Sequence, residues 1–417
     1  MTSSRILTMV ALAGLAAGAA QAQQPKAKAP AKAAAAKYSD GVVRIGVLND
    51  QSGLYSDLSG QGSVLAARMA VEDFGALPGA KVEVLFADHQ NKPDVGSNVA
   101  RQWFDVERVD VIVDVPTSSV ALAVSEVARS KNKVFLGSGV GTTELTGKAC
   151  SPNTVHWTYD TYALAHGTGS AVVASGGKNW FFLTADYAFG HSLEKNTAEV
   201  VKASGGQVLG SVRHPLNTGD FSSFLLQAQA SGAQVIGLAN AGGDTINALK
   251  SASEFGITES GQNLAGLLVF ISDVHALGLP AAQGLQLTSA FSWDANEQTR
   301  AFTKRFTQRH GGKVPTMVHA GVYSAVLHYL KAVQQLKSDA DGRAVVARMK
   351  ALPTEDPLFG KGSIRADGRK VHPMSLYEVK TPGESKKPWD YYKLVRTLPA
   401  EQAWMPLSKS ECKLLAP

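Results

Sequence analysis

The sequence predicts an α/β protein of two Rossmann-like lobes with parallel-sheet cores, joined by a three-crossover hinge. Three observations carry this. Short apolar runs alternate with stretches of helical periodicity; the alternation starts a second time near residue 180; and polar-aromatic stretches lie where the chain must pass from one half to the other.

In the first half, residues 42–48, 81–87, 109–115 and 133–136 read as buried strands. Residues 62–74, 94–105 and 117–130 between them read as helices. Strand and helix in strict alternation form a parallel sheet with helices on both faces. In the second half, strands at 180–184, 207–212, 234–238 and 267–271 alternate with helices at 189–203, 221–230 and 244–255, the first helix ended by Gly205-Gly206. Residues 154–162 are the first crossing and 287–293 the second. Helices at 297–308 and 322–337 then return to the first lobe. Residues 356–367, rich in turn formers, are the third crossing, after which 374–379 and 391–394 add strands to the second lobe. The expected division is a signal peptide over 1–22, a tether over 23–40, an N-terminal lobe of 41–158 with 292–362, and a C-terminal lobe of 159–291 with 363–417.

The beginning of the chain reads as an export signal: Arg5, a small-apolar run through Ala19, and Ala20-Gln21-Ala22 as the cleavage site. The mature protein is expected to begin near Gln23, which places it in the periplasm. Residues 23–37 contain only Ala, Lys, Pro and Gln, a composition with nothing large to bury, and are expected to be a disordered spacer. Of the formal +6 charge, Arg5, Lys26, Lys28, Lys32 and Lys37 supply five with no acid among residues 1–37, so +1 remains for the rest. That balance does not indicate a nucleic-acid-binding face. Cys150 and Cys412 are the two cysteines. In an oxidising compartment an even count favours a disulfide, here one tying the C-terminal tail to the middle of the chain.

In an open parallel α/β sheet, ligands sit beyond the carboxyl ends of the strands. Three first-lobe loops at such ends are small and hydroxyl-rich: Asn49 to Ser56, including Tyr55, with Leu58 just beyond; Pro116-Thr117-Ser118-Ser119; and Gly137-Ser138-Gly139-Val140-Gly141-Thr142-Thr143. Each runs to a helix start, where free backbone N–H groups and hydroxyls can hold a carboxylate; Thr117 and Thr142 could equally serve only as helix caps. The second lobe contributes Asp186-Tyr187-Ala188-Phe189-Gly190, Asn240-Ala241 and Ser272-Asp273, and the first crossing contributes Tyr159. Asp273 is the residue expected to decide the ligand: facing the cleft, it could pair with an amine.

Enzyme signatures are lacking. The sequence has no G-x-S-x-G, no H-E-x-x-H and no Gly-Lys pair followed by Ser or Thr. The run Gly137-x-Gly139-x-Gly141 lacks dinucleotide spacing, and His191 with Glu194 resembles half a metal site that is more often a solvated helix face. No catalytic residue, metal site or cofactor is expected.

Arg44-Ile-Gly-Val-Leu-Asn-Asp-Gln-Ser-Gly, the Ala66 to Asp73 helix, the Asp88 to Asp94 turn, the Gly139 to Thr146 loop and Asp186-Tyr-Ala-Phe-Gly190 resemble type I periplasmic binding proteins, over nearly all of residues 42–395. The chain is similar to their leucine/isoleucine/valine-binding branch. That resemblance implies reversible capture by lobe closure, delivery to the membrane permease of an ABC transporter, and action as a monomer. Position by position it implies Thr117, Ser118, Gly139 and Gly141 as carboxylate binders, Leu58 or Ser59 near a cleft aromatic, Phe189 over the ligand, Ala241 where another aromatic often stands, and Ser272 or Asp273 as the ammonium partner. With Tyr55, Tyr159, Tyr187, Phe189 and Trp293 nearby, a planar acid is as plausible a ligand as an apolar amino acid. A sensory receptor component of the same fold is the alternative, and a secreted hydrolase a poorer one.

Overall fold

The computed structural model describes residues 38–415. The expected signal peptide and residues 23–37 of the tether lie outside them. Strands β1 (Val42–Asn49), β2 (Lys81–Asp88), β3 (Val111–Asp114), β4 (Val134–Gly137) and β5 (Thr154–His156) form one parallel sheet in the order β2-β1-β3-β4-β5. Strands β6 (Asn179–Ala185), β7 (Gln207–His214), β8 (Val235–Ala239) and β9 (Asn263–Gly266) form a second, in the order β7-β6-β8-β9. The first four strands of each follow the same order, so the repeated rhythm of the sequence is a repeated topology. The central strands β3, β4 and β8 are buried along their whole length, as parallel strands covered by helices on both faces must be.

The chain then crosses back. After β10 (Gln286–Ser289), helix Glu297–Arg309 docks on the first-lobe helix Gly60–Phe74 through Arg305 to Asp73 at 2.6 Å and Arg309 to Glu72 at 2.7 Å. Helix Met317–Leu336 follows, begins earlier than the periodicity suggests, and is buried on nearly every side. Its start is set by Thr316, whose hydroxyl accepts from the His319 N–H and donates to the Leu58 carbonyl. No helix among the described residues is long and apolar enough to cross a membrane.

The third crossing is a small antiparallel sheet of β11 (Thr354–Asp356), β12 (Gly360–Ile364) and β13 (Lys370–Val371). From it the chain enters β14 (Met374–Val379) and β15 (Tyr392–Leu398), which extend β10 as an antiparallel sheet. The tail then runs to Cys412, bonded to Cys150, so the expected disulfide is present.

The last strand expected in the second parallel sheet departs furthest from the sequence reading. The strand expected at 267–271 ends earlier, at Gly266, and Ile271–Leu277 is a helix. Asp273 is the third residue of that helix, and its carboxyl accepts the Phe270 N–H at 2.8 Å. A carboxylate at this position satisfies a donor that the helix leaves without a partner.

Candidate functional site

The loops at the carboxyl ends of β1, β2 and β3 are laced by one acid. Asp50 accepts from the N–H groups of Gly53 at 2.6 Å and Tyr55 at 2.9 Å, which shapes the turn and aims Tyr55, and from the Asn91 side chain at 2.6 Å. The Thr117 hydroxyl donates to Asn91. Thr117 therefore stands at the start of helix Ser118–Ser130 without capping it. The Ser118 hydroxyl accepts from the Thr142 N–H at 3.2 Å, joining the β3 loop to the β4 loop. Thr142 does act as a cap, accepting from the Glu144 N–H at 3.3 Å. The Ser138 hydroxyl is buried with no hydrogen-bond partner in the protein.

Backbone strain is concentrated beneath these loops. Asp114 and Val115 have φ of 85° and 56°, a conformation costly for a non-glycine residue and most of all for a β-branched one. It is held by the side chains of Asn49 and Ser59, which donate to the Asp114 carboxylate at 2.9 and 2.7 Å. Burial pushes the Asp114 carboxyl up to about 6.

The lobes meet directly across the cleft. The Tyr55 and Tyr187 hydroxyls are 2.6 Å apart, and the Tyr159 hydroxyl donates to the Gly139 carbonyl at 2.8 Å. Phe189 lies so close over Gly141 that a Cβ there would sit 2.5 Å from its ring. At the rim, the Gly243 N–H donates to the Leu54 carbonyl at 3.1 Å. Gly242, at φ +56°, would place a Cβ 2.5 Å from that same oxygen, so only glycine lets the two main chains approach this closely.

Among these contacts is a small cavity lined by Tyr55, Leu58, Pro116, Tyr159, Tyr187, Phe189, Ala241, Leu268 and Phe270, with room for about one water molecule. Of the residues singled out from sequence, Tyr55, Leu58, Tyr159, Tyr187, Phe189 and Ala241 line it. Gly139 and Gly141 stand against Tyr159 and Phe189. Pro116 belongs to a loop already singled out; Leu268 and Phe270 were not, both being hidden inside an apolar run that read as strand.

Other candidates are placed elsewhere. Asn240 is engaged inside the second lobe, between His214 at 3.1 Å and the Thr245 hydroxyl at 2.7 Å. Trp293 is outside this cavity, its indole N–H donating to the Trp389 carbonyl at 2.9 Å. His191 pairs with Asp186 at 2.8 Å, whereas Glu194 accepts from Thr184, so the two do not form half a metal site. Among the described residues no cluster of three or more His, Cys, Asp or Glu is placed to hold a metal.

Ser272 and Asp273 are in the first turn of their helix and do not line the cavity. The Ser272 hydroxyl is buried without a partner, and Asp273 is 2 % exposed with no cation beside it. Burial raises the Asp273 carboxyl to about 7. Its unfolded-state value is about 3.9, so its contribution to stability is fully present below that pH and is lost as pH rises through 7. Asp273→Asn keeps an oxygen for the Phe270 N–H and cannot ionise. We expect the variant to melt several degrees above the wild type at pH 8, with the gap closing by pH 4. Parallel melting curves at both pH values would contradict this.

A family model described as periplasmic binding protein matches residues 42–387. The crystal structure of a periplasmic binding protein from Burkholderia mallei is 53% identical, with a TM-score of 0.88, over 90% of this chain and 100% of that one. A branched chain amino acid ABC transporter periplasmic ligand-binding protein from Burkholderia xenovorans LB400 is 39% identical, with a TM-score of 0.79, over 89% and 99% of the two chains. A Leu/Ile/Val-binding protein homolog 6 from Brucella melitensis biotype 1 is 26% identical over 348 residues, 82% of this chain and 87% of that protein.

Proposed function

The chain belongs to the periplasmic binding protein family, a family of binding proteins rather than enzymes, and from that premise we propose that it captures a small aromatic monocarboxylate for an ABC-type uptake system. One observation carries the ligand class. The nine residues lining the cavity include five aromatics, Tyr55, Tyr159, Tyr187, Phe189 and Phe270, and no Lys, Arg, His, Asp or Glu. An α-amino acid brings an ammonium that needs an acceptor of opposite charge when buried. The one acid expected to supply it, Asp273, is committed to the Phe270 N–H.

In this reading the ligand enters when the lobes part. Its carboxylate docks on the first lobe, where Ser138 and the N-terminus of helix Ser118–Ser130 offer donors, and closure lays Tyr187 and Phe189 over the ring. The lobes then comprise residues 41–158 with 292–362, and 159–291 with 363–417. The protein works as a periplasmic monomer, exported by residues 1–22, and presents its closed form to a membrane permease.

Ligand bound only by the folded state raises the melting temperature, by about 2.7 kcal/mol of stability at one hundred times Kd. On protein unfolded and refolded to remove any carried ligand, benzoate and 4-hydroxybenzoate should raise the melting temperature by several degrees, whereas leucine, succinate and short amides leave it in place. A shift with leucine and none with either aromatic acid would overturn the ligand class. No shift across the whole panel would overturn the small-carboxylate reading itself.

A further inference from the structure

Where the first and third crossings touch, a buried arginine grips the main chain of a cleft residue. Arg369 is 1 % exposed. One guanidinium nitrogen donates to the Tyr159 carbonyl at 3.0 Å and lies 3.5 Å from the Asp160 carboxylate; another donates to the Lys370 carbonyl at 3.0 Å. Its planar head stacks 4.3 Å from the ring centre of Trp404. Asp160 is buried too, and its other oxygen caps the following helix by accepting the Ala163 N–H at 2.9 Å. The grip continues along the main chain, with the His156 N–H donating to the Gly368 carbonyl at 2.9 Å and Arg369 bridging His156 in parallel.

The opposite side of the same segment faces the cleft. The Tyr159 hydroxyl reaches the Gly139 carbonyl, its ring meets Phe270 edge-on at 6.3 Å, and the next N–H but one, Thr161, donates to the Gly141 carbonyl at 2.7 Å. A charged, planar donor is a costly thing to bury. Part of that cost is offset by one arm of the fork, whose nitrogen meets the Tyr159 carbonyl and Asp160, while the other terminal nitrogen is buried without a partner.

We propose that Arg369 is a positioning residue: held between Trp404 and the first crossing, it fixes Tyr159 in the cleft wall and thereby sets ligand affinity without touching ligand. This rests on the reading that Tyr159 lines the ligand site. It adds that the third crossing, 210 residues away in sequence, determines the shape of that wall.

The test uses the full chain labelled with 3-fluorotyrosine and read by fluorine NMR, with the Tyr159 signal assigned by its loss in Tyr159→Phe. The paired variant Arg369→Met with Asp160→Asn removes both charges, so neither is left buried alone; Arg369→Lys keeps the charge and loses the fork. In both, the Tyr159 signal should shift or broaden in the ligand-free protein. With benzoate as the probe, calorimetry should show about a tenfold loss of affinity in the paired variant, the size of one lost charge-assisted hydrogen bond. Adding Tyr159→Phe should then cost less than it does alone, because both changes act through one side chain. A Tyr159 signal unmoved in both folded variants would overturn the proposal, as would recovery of signal and stability together in Arg369→Lys, the outcome for a charge that only holds the fold. Absence of benzoate binding by the wild type would sink the aromatic-acid reading instead, and the ligand-free spectra would still decide Arg369.

Discussion

Gly141→Ala should weaken ligand binding about 10- to 100-fold while moving the melting temperature of the ligand-free protein by no more than about a degree. The added methyl would sit 2.5 Å from one Phe189 ring carbon and 2.6 Å from the next, closer than real side-chain contacts allow. Overpacking of this kind costs about 1–3 kcal/mol. Gly141 belongs to the first lobe and Phe189 to the second, so the clash exists only when the lobes are together. Gly141 is not among the residues with positive φ, so alanine fits its backbone when they are apart. Affinity falls with the fraction of molecules that can close. Calorimetry would read the loss, and small-angle scattering should show the variant staying expanded at ligand concentrations that compact the wild type. Shortening the opposing side chain in Gly141→Ala with Phe189→Leu should recover part of the closure. Wild-type affinity and compaction in Gly141→Ala alone would show that Phe189 does not need to seat against Gly141 for binding.

Removing the disulfide should give the largest loss of stability. Cys150 and Cys412 are 262 residues apart in sequence, and the chain-entropy argument for a loop of that length puts the stabilisation at up to about 5 kcal/mol, with about 2–4 kcal/mol typical of measured bridges. Folded-state contacts around the tail do little of this work. Trp404 is buried, its indole N–H donating to the His372 carbonyl at 2.8 Å, but beyond it Leu407 and Leu414 are exposed, and Ser410 makes a single 3.2 Å bond to the Thr146 carbonyl. Cys150→Ser with Cys412→Ser should therefore lower the denaturant midpoint markedly. Reducing agent should do the same to the wild type and nothing further to the variant. Equal midpoints with faster proteolysis after Trp404 would mean that the bridge pins the tail and leaves global stability alone.

The fold was legible because its parts are local. Strands such as Val134–Gly137 are unbroken apolar runs, and helix Pro93–Asp105 starts at a proline with an acid in its first turn, signals that the sequence carries. The loops of the candidate site were legible in outline for the same reason, since strand ends and helix starts mark where loops gather. Phe270 and Asp273 were misplaced because 267–271 is apolar enough for either strand or helix, and length and composition do not choose between them. The choice is made by pairing. β9 meets β8 only as far as Leu238 opposite Gly266, and past that point Asp273 is free to turn back and cap.

Read along the chain, residue pattern suffices for two α/β repeats, their strand ends, a disulfide and a binding role without catalytic groups. It does not reach the question that decides the ligand, which is what those loops present to one another. Tyr55 and Tyr187 meet across 132 residues, and Arg369 reaches Tyr159 across 210. Contacts of that span leave no periodic trace in sequence, because they depend on how two independently formed sheets are set against each other. For Asp273 the sequence left two orientations open, and in the folded chain its carboxyl caps its own helix by accepting the Phe270 N–H three residues before it.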